Sequence, residues 1–210
     1  MRRAALALAL VLACLALAGC GGGSTPAAED ERLGPAQLVQ ALQEGGLVVY
    51  VRHAATDRSQ DDAGLADLDD CSQQRNLDES GREQSREIGR AFRALDLPVG
   101  DVLSSEYCRT RETAELAFGR YDDEPGLTGF PGEGDPGYAA RVIRTQELLG
   151  TPPEEGNTVL VAHVKNLEAV AELTIDEGDA AVFEPLGEGR FRYLGRIPAS
   201  AWPQLVAELG

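Results

Sequence analysis

Histidine and lysine are nearly absent from this chain. Its 210 residues include two histidines, His53 and His163, and one lysine, Lys165. Two imidazoles are too few for a zinc centre, and no nearby cysteine spacing completes a tetrahedral ligand set, so no metal is expected. Positive charge is also scarce: 19 Lys+Arg stand against 35 Asp+Glu, for a formal net charge of −16. Such a surface repels nucleic acid, and no basic stripe offsets it. A cationic pocket must therefore be built locally, almost wholly from arginine. There are no internal repeats. The one long apolar run, AALALALVLACLALAG after Met1-Arg2-Arg3, is too short and too rich in small residues for a confident membrane span. It reads as a signal peptide over residues 1–19.

Leu17-Ala18-Gly19-Cys20 closes that run and resembles the bacterial lipobox. The resemblance implies cleavage before Cys20 and lipid on its sulfur. The expected location is extracytoplasmic, on the cell membrane, with the lipid as the only membrane contact. Residues 20–34, the lipidated cysteine and a polar GGGSTPAAEDERLG segment, are expected to form a flexible tether of roughly 20 Å. Residues 35–210 then form one domain, long enough to enclose a sizeable core. With Cys14 in the signal and Cys20 lipidated, Cys71 and Cys108 remain as an even pair in an oxidising compartment. A disulfide between them is expected.

Within the domain, helical and strand patterns alternate. Leu38, Val39 and Leu42 have helical spacing and stop at Gly45-Gly46. Leu47 to Val51 is a continuous apolar run of the kind covered on both faces of a parallel sheet. Residues 54–76 read as a long polar loop. A helix follows, capped by Asp78 or Ser80, with Ser80 and Glu83 fitting a capping box. Val102 and Leu103 suggest a short strand, 109–118 a helix, 119–136 a loop and 138–149 a helix. Thr158 to Ala162 repeats the buried-strand pattern, followed by a helix over 166–173. Residues 180–186 and 190–197 suggest a hairpin, and 200–209 a last helix. The expected fold is α/β with a mostly parallel sheet.

In such sheets, ligands bind beyond the carboxyl ends of the strands. Arg52 and His53 follow the first strand, Arg109 follows the second, and His163 follows Thr158 to Ala162. Two guanidiniums converging there call for an anion, and their fork geometry suits phosphate. A neutral imidazole beside that anion can attack phosphorus to give a phosphohistidine. The other cationic and donor groups would stabilise charge on the phosphoryl oxygens.

These residues also resemble the histidine phosphatase superfamily, or phosphoglycerate mutase-like proteins. Arg52-His53-Ala54-Ala55-Thr56 resembles the RHGxT motif, and the segment from Leu77 to Ser85 resembles LTxxGxxQA. Ser104 to Ala114 resembles SSPLxRAxxTA, and Ala162-His163-Val164-Lys165-Asn166 resembles GHGxN. The matches occur in family order. The resemblance implies a three-layer α/β/α sandwich, no cofactor and a small phosphorylated substrate. It places His53 at the phosphorylated histidine, Arg52 and Arg109 at the phosphate-binding arginines, and His163 at the second histidine. Thr56 is expected to line the phosphate loop.

The chain departs from the pattern in places. Ala54, Ala162 and Val164 stand where the family has glycine, and Val164 is expected either to narrow the pocket or to alter the turn. Lys165 points either at a substrate phosphate or into solvent. The family's acidic proton donor is not evident. Glu133 is the leading candidate, with Asp57, Glu177 and Asp179 behind it. The expected activity is an exported phosphomonoesterase. The alternative is an anion-binding module that has lost turnover.

Overall fold

The computed structural model describes residues 32–63, 65–129 and 134–210. The expected signal peptide, Cys20, most of the tether and Glu133 lie outside the described residues. Among the described residues, no helix is long and apolar enough to cross a membrane.

Among the described residues, six strands form one sheet: β1 (Val48–Arg52), β2 (Val99–Ser104), β3 (Asp122–Asp123), β4 (Asn157–Ala162), β5 (Ala180–Gly187) and β6 (Arg190–Ile197). Their order is β3-β2-β4-β1-β5-β6. The first four run parallel, while β5 lies antiparallel to both β1 and β6. Every residue of β4 is buried, as are the first four of β1. The reason is that both faces are covered. Val49 and Val51 enter one core with Val159 and Val161, whereas Val48 and Tyr50 enter the other with Leu160 and Ala162.

The helices divide accordingly. Helices α1 (Pro35–Glu44), α2 (Glu79–Ala94), α3 (Cys108–Phe118) and α6 (Trp202–Leu209) cover the first face. They do so through residues such as Leu38, Phe92, Ala114 and Trp202. Helices α4 (Tyr138–Gly150) and α5 (Val164–Ala171) cover the second through Leu149 and Leu167. This is the expected three-layer sandwich around a mostly parallel sheet.

Local differences from the sequence reading have simple causes. Asp78, not Ser80, caps α2. Its carboxylate accepts the Gly81 N–H at 2.7 Å and the Ser80 hydroxyl at 2.7 Å. An anionic acceptor at a helix N-terminus takes the cap, so the Ser80–Glu83 box does not form. Glu83 instead pairs with Arg86 and Arg90. Strand β2 starts at Val99, with a register shift before Val102, and β3 lies inside the expected 119–136 loop. Contacts with the domain begin before Pro35. The Leu33 N–H donates to the Leu194 carbonyl at 2.8 Å, and the Arg32 guanidinium lies over the Tyr193 ring.

Candidate active site

The parallel register of β1 and β4 sets the centre of the site. Arg52 pairs with Ala162 at the carboxyl ends of the two strands. The next residues are His53 and His163, and the His53 N–H donates to the Ala162 carbonyl at 3.0 Å. Their rings lie 5.5 Å apart, centroid to centroid. Helix α3 brings Arg109 from the end of β2 on its first turn. Arg52, His53, Arg109 and His163 share one cavity of about 310 Å³ with Asp62, Arg75 and Tyr107. The helix N-termini at Arg109 and Val164 add a local field that favours anions.

Hydrogen bonding fixes the His53 tautomer. Its Nδ1 lies 2.9 Å from the Ala54 carbonyl. A carbonyl only accepts, so Nδ1 carries the proton and Nε2 keeps a lone pair. No described residue bonds to that Nε2. Burial, then the adjacent Arg109, holds His53 well below the ordinary imidazole range, against the opposing pull of the Ala54 carbonyl. His163 is likewise held low, by burial first and then by Arg109 and His53. Arg109 Nη2 faces His163 Nδ1 at 3.5 Å, and Ser105 Oγ meets His163 Nε2 at 2.8 Å. Arginine only donates, so Nδ1 accepts here and Nε2–H points to Ser105. The Tyr50 hydroxyl donates to the His163 carbonyl at 2.7 Å and fixes the backbone below the ring.

The arginines are positioned by a small set of partners. Arg109 is buried. It donates through Nη1 to Asp62 Oδ1 at 3.0 Å and to the Arg75 carbonyl at 3.2 Å. Its guanidinium also lies 4.2 Å from the Tyr107 ring centroid, a cation–π contact. Arg52 donates to the Ile175 carbonyl at 2.7 Å. A single Glu177 oxygen faces Arg58 at 2.8 Å, Arg75 at 3.1 Å and Arg52 at 3.6 Å. Among the described residues, four guanidiniums thus meet two carboxylates, leaving the site locally cationic within an acidic chain.

The loop after His53 is held by α2. Gln84 accepts the Ala55 N–H at 3.0 Å and donates to the Glu177 carbonyl at 3.2 Å. Gly81 is required because a Cβ there would run into the Ala55 carbonyl. Cys71 and Cys108 are joined by a disulfide. Gln74 reinforces that link by accepting the Cys108 N–H at 2.9 Å.

Other expected residues lie elsewhere. The Thr56 hydroxyl lies behind the cavity wall, bonded to Glu177 and Arg75. Thr56 is therefore a support for Arg75 and does not line the cavity. Val164 and Lys165 form part of the cavity wall. The Lys165 ammonium, however, turns to Glu168 at 2.7 Å and is 56 % exposed. Asp57 is half-buried and caps a turn at Ser59, and Asp179 binds Arg196 and the Ala199 N–H. Glu177 is committed to arginines. Asp62, Arg75, Ser105 and Tyr107 were not singled out from the sequence. A larger groove of about 910 Å³ runs beside the disulfide, but it holds neither histidine. Its Arg82 and Arg111 are already paired with Glu112 and Asp123.

Residues 48–128 match the family model of the histidine phosphatase superfamily (branch 1). Comparison with curated proteins gives no match. Among solved structures, TTHB049 from Thermus thermophilus is 22% identical, with a TM-score of 0.51 over 72% of this chain and 99% of its own. The protein histidine phosphatase SixA, complexed with tungstate, is 15% identical, with a TM-score of 0.51 over 73% of this chain and 97% of its own. A phosphoserine phosphatase variant from Entamoeba histolytica, in complex with phosphoserine, is 13% identical, with a TM-score of 0.52 over the same shares. The fold is that of the histidine phosphatases.

Proposed function

We propose that the chain is a phosphomonoesterase of the histidine phosphatase superfamily, working through phospho-His53 on the extracytoplasmic face of a membrane to which Cys20 anchors it. One observation carries this reading. The unprotonated Nε2 of a buried, neutral His53 shares a cavity with Arg52, Arg75, Arg109 and His163. Support comes also from proteins of the same fold whose structures hold tungstate, phosphoserine or 3-phosphoglyceric acid.

In the proposed reaction, Arg52 and Arg109 seat the phosphoryl oxygens and hold phosphorus near the His53 Nε2 lone pair. Attack forms an N–P bond while the P–O ester bond breaks, its electron pair leaving with the ester oxygen, which departs as the alcohol. Charge gathers on the equatorial oxygens, where preorganised guanidiniums stabilise it. His163 adds a donor by changing tautomer. When the phosphoryl group replaces the Arg109 contact, Ser105 Oγ–H donates to Nε2 and the Nδ1 proton faces the anion. Water then cleaves the N–P bond and releases phosphate.

The test is turnover of an aryl phosphate by the detergent-solubilised full chain, with His53→Ala as control. Protein quenched in alkaline denaturant is analysed for an acid-labile, base-stable phosphoryl group. Turnover and a phosphohistidine in the wild type, both lost in His53→Ala, are expected. Equal background rates would sink the enzymatic reading. They would favour the binding module instead, a reading helped by Asp62 already occupying Arg109.

A further inference from the structure

Departure of an alkoxide from phosphorus needs a proton, because an unprotonated alkoxide is a poor leaving group. We propose that Asp62 delivers that proton and then takes one from the hydrolytic water. This rests on the phosphatase reading above. Among the described residues, Asp62 is the carboxyl group on the wall of the cavity shared by the two histidines. Glu177 sits behind Arg52 and Arg75 with its oxygen committed to them. Tyr107 is the other hydroxyl-bearing residue on the wall, and burial makes its proton harder to release.

The position of Asp62 suits the task. Its Oδ1 accepts Arg109 Nη1–H at 3.0 Å and the Arg75 N–H at 2.9 Å. The other tip of the same guanidinium faces His163. A phosphoryl group seated on Arg109 therefore has the second histidine on one flank and Asp62 on the other. The Asp62 side chain is 30% exposed, so both ester and water can reach it. Asp62 is here itself the anion on Arg109. An arriving phosphoryl dianion puts two anions on one guanidinium, and a proton held between them relieves the repulsion.

Atoms and electrons balance across both steps. The His53 Nε2 lone pair forms the N–P bond while the P–O ester bond breaks. Its electron pair goes to the ester oxygen, which takes the Asp62 proton and leaves as alcohol. Water then attacks phosphorus and gives one proton to the Asp62 carboxylate. The N–P electron pair returns to Nε2, and hydrogen phosphate departs. Nothing beyond ester and water is consumed.

The experiment measures kcat/KM for the full chain over aryl and alkyl phosphates of graded leaving-group acidity. Wild type, Asp62→Asn and Asp57→Asn are compared. Asparagine keeps an oxygen for both N–H donors, so the posture of Arg109 is retained. We expect a shallow leaving-group dependence in the wild type and in Asp57→Asn. In Asp62→Asn, alkyl phosphates should lose roughly 100-fold or more, the usual worth of a general acid. Aryl phosphates should lose a smaller factor, steepening the dependence. Loss by one common factor would make Asp62 only a positioning residue for Arg109 and overturn the proposal. A steep dependence already present in the wild type would overturn it too, whether or not the variant folds. A trapped phosphohistidine beside either result removes the Asp62 assignment alone. Absence of phosphohistidine in the wild type removes the parent reading and this one with it.

Discussion

Replacing Cys71 and Cys108 together by serine removes a bond between residues 37 positions apart. For a loop of that size, the lost restriction of the unfolded chain is worth roughly 4 kcal/mol at 25 °C. At about 2–4 °C per kcal/mol for a domain of this length, Tm should fall by about 8–16 °C. A local effect should accompany the global one. Cys108 opens α3 one residue before Arg109, and Cys71 lies in the segment that carries Asp62, Gln74 and Arg75. Without the disulfide, that junction retains the Gln74 bond to the Cys108 N–H and the Arg109–Asp62 ion pair. Arg109 should sample more positions, so kcat/KM for an aryl phosphate should fall along with Tm. Scanning calorimetry and steady-state kinetics on the double variant, and on wild type with and without reductant, test both. A Tm within about 2 °C of wild type, with kcat/KM unchanged, would refute the claim that this bond stiffens the site.

Gly81→Ala drives a methyl group into the Ala55 carbonyl. We expect about 1–3 kcal/mol of destabilisation and slower turnover as the post-His53 loop shifts; urea unfolding with parallel kinetics checks it. Burial keeps His53 and His163 neutral in the folded state, with both titrating below their unfolded value. Below about pH 6.5 the unfolded chain binds protons that the folded one refuses. Their contribution is therefore fully present above that pH. It is lost as pH falls toward the folded values, by up to about 1.4 kcal/mol per pH unit for each histidine. Urea midpoints from about pH 7.5 to 5.5 should fall less steeply in a His53→Asn, His163→Asn double variant than in wild type. Lys165→Ala should leave kcat/KM within about twofold, because the ammonium belongs to an exposed pair with Glu168. A loss of about tenfold would instead put Lys165 on the substrate.

The sheet was legible because β1 and β4 are valine-rich runs with no polar interruption, and that pattern marks strands covered on both faces. Once the strands are placed, His53 and His163 fall at their carboxyl ends without further information. Arg75 and Asp62 were not legible for the opposite reason. They lie in a loop whose path is set by long-range contacts: the disulfide, Gln74 accepting the Cys108 N–H, and Asp62 itself accepting the Arg75 N–H. No periodicity marks such residues. The Thr56 motif position was readable, but the direction of its side chain was not. That direction depends on Glu177, which lies 121 residues further along the chain. Asp78 and Ser80 both looked like caps, and only the geometry shows the carboxylate accepting from the serine.

The juxtaposition of the two imidazoles is a property of backbone pairing, since His53 and His163 follow the last paired residues of adjacent central strands. Inserting one residue into either strand would turn an imidazole to the opposite face and disconnect the pair. Grafting a different 57–76 segment onto the scaffold would leave both rings where they are. Loop exchange in this architecture can therefore vary the surroundings of the two rings without moving them, as long as the positions of Asp62, Cys71 and Arg75 are kept.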